Sequence, residues 1–187
     1  MTSPPSHPPR RAFLRRCVHV AVVGAGMPLA AGSALAAVPG ARSLAFDHTH
    51  TGEQLDIVYA VGDRYVPEAL TALNRFLRDH YSGDVGVIDP QLFDLLHRVA
   101  REFGAAGPFQ VISGYRCPVT NATLKATRGG GVAAHSLHMD GKAIDLRLPG
   151  VPLTQLRDAA LSLRGGGVGY YQREQFVHVD TGRVRSW

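Results

Sequence analysis

A chain of 187 residues, 45% hydrophobic and 19% charged, is long enough for one cored domain and too apolar to remain disordered. Its formal net charge of +5 does not mark a nucleic-acid binder. Arg10, Arg11, Arg15 and Arg16 all fall within residues 1–36, which hold no acidic residue, so 16 basic residues face 15 acidic ones in the rest of the chain.

Residues 1–36 read as a targeting segment rather than as part of a fold. RRAFLRR at 10–16 is a charged opening, the following apolar stretch is broken by Gly24, Gly26 and Pro28, and Ala34-Leu35-Ala36 offers a small-x-small cleavage site. Cleavage after Ala36 is expected. The paired arginines ahead of Ala12, Phe13 and Leu14 look like a twin-arginine export signal, against an ordinary secretory leader as the alternative. The interrupted apolar run is shorter than the roughly 20 residues of a membrane span, so no retained anchor is expected. Cys17 lies in the leader and Cys117 beyond it, so the processed chain, expected as a monomer, makes no internal disulfide.

The segment 37–54 is polar enough to be an N-terminal arm or an edge segment ahead of a domain at 55–187. It carries His48 and His50, read as surface or supporting groups rather than metal ligands. LDIVYA at 55–60 has strand composition. From Pro67 to about His80, Leu70, Leu73, Leu77 and Tyr81 recur at helical spacing with Phe76 widening the stripe. Val85 to Ile88 is a short extended link. Asp89 then caps a second helix with Pro90 in its first position, buried along Leu92, Leu95, Leu96, Val99 and Phe103 and stopped at Gly104. His97 on this helix reads as an ordinary, partly buried histidine. FQVI at 109–112 is a strand that leads into SGYRC, Pro118 to Thr127 a short helix, and Arg128 to Gly131 a turn without the Lys-Ser/Thr ending of a nucleotide loop. Leu153, Leu156, Ala160 and Leu163 mark a third long helix, followed by the strands GVGYY and QFVHVD around a polar turn. This order predicts an α+β domain, an antiparallel sheet with helices on one face and the site on the other.

Chemistry concentrates in SLHMDGKAID at 136–145 and FVHVD at 176–180. In KAIDLRL, alternation puts Ile144, Leu146 and Leu148 on one face and Asp145 on the other. In FVHVD it puts Val177 and Val179 opposite His178 and Asp180. Paired as neighbours, the two strands bury their aliphatic faces and present His178 and Asp145 together. His138 completes a set of two imidazoles and a carboxylate, which suits a catalytic zinc ion with one position left for water. Asp180 either orients a ligand or is a surface residue at a strand end. Cys117 reads as a small buried side chain rather than a fourth ligand, and a purely structural zinc site is disfavoured because such sites are closed and rich in cysteine.

SLHMDGKAID matches the Ser-x-His-x-x-Gly-x-Ala-x-Asp signature of the LAS metallopeptidases, the lysostaphin, D-alanyl-D-alanine carboxypeptidase and sonic hedgehog group. With HTHTGE at 48–53, SGYRCPVTN at 113–121 and the block from Gly167 to Trp187, the chain specifically resembles the YcbK-like murein endopeptidases over nearly all of 42–187. The resemblance implies a hedgehog/D-Ala-D-Ala-peptidase-like fold, a Zn2+ ion and hydrolysis of amide cross-links between peptidoglycan stem peptides in the periplasm. It also implies that Arg116, which taken alone reads as a surface residue, belongs to the active site, where a guanidinium can hold the oxygen of a tetrahedral intermediate or a substrate carboxylate. In the carboxypeptidase branch a carboxylate stands three residues before the last histidine ligand; here that place is Gln175, which cannot accept a proton. His135 and Glu174 remain as candidate bases. The missing carboxylate leaves a second reading open, a non-catalytic zinc-bearing module that binds cell-wall peptide or a partner.

Overall fold

A computed structural model describes residues 38–104, 107–127 and 132–187; the leader with Cys17 and its arginines, and the turn at 128–131, lie outside the described residues. Eight strands form one sheet: β1 (Ala41–His48), β2 (Gln54–Val61), β3 (Arg64–Tyr65), β4 (Phe109–Ser113), β5 (Ala143–Arg147), β6 (Gly167–Tyr171), β7 (Phe176–Asp180) and β8 (Arg185–Ser186), in the order β3-β2-β1-β4-β5-β7-β6-β8. Four helices accompany them among the described residues: α1 (Pro67–Phe76), α2 (Pro90–Glu102), α3 (Pro118–Thr127) and α4 (Leu153–Ser162). The α+β expectation holds. The sheet is mixed rather than purely antiparallel, because β1 pairs parallel to β4 and β6 parallel to β8. The first parallel pair follows from the long excursion through α1 and α2, which returns the chain in its original direction. No helix among the described residues is long and apolar enough to cross a membrane.

Within 38–54, where an arm or an edge segment is expected, the chain forms a strand inside the sheet. Ala41–His48 is an inner strand, antiparallel to β2 and parallel to β4, with Leu44, Phe46 and His48 buried at alternate positions. Its polar residues mislead because Ser43 and Asp47 occupy the less buried alternate positions and Arg42 lies beyond a register shift at 42/43. Helix α1 stops at Phe76, short of the expected His80. The Leu77 carbonyl accepts the Tyr115 N–H at 2.7 Å, and the Asp79 carboxylate accepts the Tyr81 N–H at 2.9 Å, which turns the chain out of the helix. Helix α2 begins as expected, with Asp89 Oδ1 accepting the Gln91 N–H at 3.0 Å.

One core joins Leu73 and Phe76 of α1, Leu92, Leu96 and Val99 of α2, Leu156 of α4 and the aliphatic faces of the central strands, including Ile144, Leu146, Val177 and Val179. The register is the alternation read from the sequence: Ile144 opposes Val179 and Leu146 opposes Val177. Removing either of these pairs from the core would cost several kcal/mol, at about 25 cal/mol per Å² of apolar surface. The same ladder places Asp145 opposite His178 on the other face.

Candidate metal centre

Asp145 and His178 are directly paired across β5 and β7, the geometry that brings two side chains on one face of a sheet closest together. His138 arrives from the tight turn at 136–141, closed by Met139 N–H to the Ser136 carbonyl at 2.9 Å and Lys142 N–H to the Leu137 carbonyl at 2.9 Å. Gly141 makes this turn possible: its φ is +65°, and a Cβ there would run into the Val87 carbonyl. The three residues are buried at 2%, 6% and 8% exposure, and one donor atom from each lies within 4.8 Å of the others.

The hydrogen bonds decide which atoms face inward. His138 Nδ1–H donates to the Gly114 carbonyl at 2.7 Å, which puts the lone pair on Nε2, 3.3 Å from Asp145 Oδ1. His178 Nε2–H donates to Asp180 Oδ2 at 3.1 Å, which leaves Nδ1 toward Asp145 Oδ1 at 2.9 Å. Each imidazole therefore has its outer nitrogen committed and its inner nitrogen available, the arrangement typical of histidine ligands. Two borderline nitrogens and one carboxylate oxygen, converging in a buried corner, fit zinc.

Burial alone would lower the basicity of His178, but its bonds to Asp145 and Asp180 outweigh that and raise its pKa to about 9, so without a metal Nδ1 also carries a proton at neutral pH, the proton that an ion would displace. Burial would raise the Asp145 carboxyl, yet the adjoining His138 and His178 hold it well below the usual carboxylate range. The site thus keeps its carboxylate ionised at neutral pH.

Asp180 is fully buried and not a surface residue. Besides His178 it accepts the N–H groups of Gly167 at 2.9 Å and Gly182 at 2.8 Å, and both terminal nitrogens of Arg185 at 3.2 and 2.8 Å. Arg116 lines the same cleft, its Nη2 3.9 Å from Asp145 Oδ2 and its Nη1 donating to Asn121 Oδ1 at 3.4 Å. Asn121, buried at the start of α3, also donates to the carbonyls of Ala133 and Ala134, so it ties the arginine to the loop ahead of His138.

The two candidate bases separate. His135 lines the cleft, and its Nε2 lies 3.0 Å from Asp140 Oδ2. Glu174 is exposed in the β6–β7 turn and does not line the cleft. Gln175 closes that turn with a φ of +59°, and its side-chain amide donates to the Gln172 carbonyl within the turn. Cys117 is buried, with Sγ 3.3 Å from the Thr120 hydroxyl, and is not in the convergent group. His48 and His50 lie apart from it: His48 is buried and its Nδ1 accepts the N–H groups of His50 at 3.2 Å and Thr51 at 3.4 Å, while His50 stacks on His80 at 4.2 Å. His97 bonds through Nδ1 to the Ser43 carbonyl at 3.2 Å.

The cleft holds about 330 Å³ and has features that residue patterns did not mark as functional. Tyr171, Phe176, Arg185 and Trp187 line it beside the His-Asp-His set. The available signal was the tryptophan itself, the only one in the chain.

A mixed sheet with helices over its aliphatic face and an open His-Asp-His corner on the other defines an α+β protein of the metallopeptidase class. The family Peptidase_M15_2, described as peptidoglycan L,D-endopeptidase MepK, matches residues 36–187, and the chain belongs to it. It is 44% identical over 168 residues to the peptidoglycan L,D-endopeptidase MepK of Escherichia coli (strain K12), covering 90% of this chain and 91% of that protein. The MepK of Shigella flexneri matches to the same extent. The probable MepK of Haemophilus influenzae is 38% identical over 176 residues, 92% of this chain and 94% of that one. No solved structure matches the chain significantly.

Proposed function

We propose that the protein is a zinc-dependent peptidoglycan endopeptidase that hydrolyses amide cross-links between stem peptides, with His138, Asp145 and His178 holding the metal. The observation that carries this is the convergence of those three buried donors in an open cleft, in a chain that belongs to a peptidase family. The relatives' names specify an L,D-endopeptidase, and the same type of bond is proposed for this chain.

Bound zinc would supply a Lewis acid and a water of lowered pKa at the scissile amide. Arg116 is placed to hold the oxyanion that develops on the attacked carbonyl, a role whose loss typically costs about 10²–10³ in rate. His135 is the proposed proton acceptor. With its Nε2–H donated to Asp140, its lone pair sits on Nδ1, which takes the proton and returns it to the leaving amine. Asp180 keeps His178 in the tautomer that turns Nδ1 inward.

The paired arginines of the leader support export by the twin-arginine route to the periplasm, where the monomer would meet its polymeric substrate. Exchanging Arg10 and Arg11 for lysine pairs and following the protein's location checks that route.

The absence of a carboxylate at Gln175 favours the rival, a zinc-bearing module that binds wall peptide without cutting it. The deciding experiment is digestion of cross-linked muropeptides by the zinc-loaded protein with product masses measured. Conversion of dimers to monomers, abolished by His138→Ala, supports the enzyme; intact dimers despite stoichiometric zinc support the module.

A further inference from the structure

Trp187 is held by its backbone, by its indole nitrogen and by the residues against its ring. Its backbone continues the β6/β8 pairing, with its N–H on the Val168 carbonyl at 3.3 Å and its carbonyl accepting the Tyr170 N–H at 2.9 Å. Its Nε1–H donates to the Tyr171 hydroxyl at 2.9 Å, and the Arg185 guanidinium lies 4.8 Å over the ring. The ring rests on Gly169, where a Cβ would come within 2.7 Å of it, and Gly169 pairs with His178 across the sheet. The His178 ring is 5.2 Å away. Despite these restraints the residue is 50% exposed, and it lines the cleft. A large apolar ring that is fixed in place and left half bare beside a reactive centre is a preorganised binding surface.

Resting on the endopeptidase reading, we propose that the exposed part of Trp187 in the cleft is the platform for an aliphatic side chain of the stem peptide next to the scissile amide, and so determines substrate specificity. The polar groups around the ring are already committed, Arg185 to Asp180 and Nε1–H to Tyr171, so the platform offers a flat hydrocarbon-like surface. A group resting on it lies beside His178, hence within a residue of the bond cut, which places a peptide side chain there rather than a sugar ring of the glycan. Tyr171 and Phe176, stacked at 4.5 Å, extend the wall from which the platform projects.

Because Trp187 is the chain's sole tryptophan, its emission reports on this surface alone. The experiment titrates the zinc-loaded full chain with a sugar-free cross-linked stem-peptide dimer whose scissile amide is reduced to an uncleavable methylene amine. A saturable emission shift is expected, with no shift from peptide-free glycan. In steady-state kinetics with the cleavable dimer, Trp187→Leu raises KM about tenfold with kcat within threefold, and Trp187→Phe recovers most of the loss; zinc content stays at wild-type level in both. An unchanged emission at saturating dimer, a response to glycan instead, or variants that lower kcat and zinc content while KM stays put would overturn the proposal. An emission shift on an intact dimer, from a protein that cuts no cross-link, would uphold the platform and end the enzyme reading. Cleavage without any shift would do the reverse.

Discussion

Replacing Asp180 with asparagine tests how the site selects the metal-facing nitrogen of His178. The carboxylate accepts five hydrogen bonds: Gly167 N–H, Gly182 N–H and one Arg185 nitrogen on Oδ1, and the other Arg185 nitrogen with His178 Nε2–H on Oδ2. Asparagine has the same shape, and two fixed backbone donors hold its carbonyl oxygen at the Oδ1 position. Its NH2 group then meets the Arg185 and His178 donors head on. Two charge-assisted bonds are lost, each worth about 1.5–3 kcal/mol. His178 relieves one conflict by moving its proton to Nδ1, where it donates to Asp145 Oδ1 only 2.9 Å away, and the lone pair that would face a metal disappears. The expected result is a 10–100-fold weaker zinc affinity, about 1.4–2.8 kcal/mol, measured by competition with a chromophoric chelator. A lower Tm should accompany it. Asp180→Asn protein that is folded yet binds zinc within twofold of wild type would refute the tautomer argument.

Arg116→Lys keeps the charge but loses the planar fork, and kcat should fall about 10²-fold with zinc content unchanged, as checked by single-turnover cleavage. His135→Gln should remove most of kcat/KM, whereas Glu174→Gln, in the exposed turn, should leave it as it was; the converse would move the base to Glu174. Burial and the neighbouring His50 and Arg78 lower the His48 pKa to about 4, with Glu53 opposing them, and burial with His50, His48 and Arg116 lowers His80 to about 4, against Asp79. The unfolded chain takes up these protons below about pH 6.5 and the fold only near 4, so this stability is complete above 6.5 and declines as pH falls toward 4. The His48 contribution is at most about 3 kcal/mol. Urea midpoints for wild type and His48→Gln should converge as pH drops through that window, and parallel curves would contradict the burial argument.

The convergence of Asp145 and His178 was legible because strand alternation is a strong signal. KAIDLRL and FVHVD each separate aliphatic from polar residues with period two, and pairing the aliphatic faces leaves one arrangement for Asp145 and His178. Capping chemistry located the start of α2 for a similarly local reason, since Asp89 and Pro90 act on adjacent backbone groups. What the sequence left obscure depends on distant partners. Polarity in 37–54 hid an inner strand, because residues at 41–48 find their neighbours in β2 and in β4, over sixty positions on. The end of α1 depends on Tyr115 taking the Leu77 carbonyl, and the burial of Asp180 depends on Arg185 and two glycine amides; spacing shows none of these. Resemblance rather than periodicity singled out Arg116, and Asn121, which holds it, bears no mark in composition.

The ladder between β5 and β7 makes the catalytic corner and the hydrophobic interior two faces of a single registration. Sliding either strand by one position would swing its own member of the pair, Asp145 or His178, into the oil and turn that strand's aliphatic residues out to water. A slipped conformer would therefore forfeit the proposed metal site and part of the core in the same move, so that occupancy by an ion would serve as a proofreading mark for correct assembly.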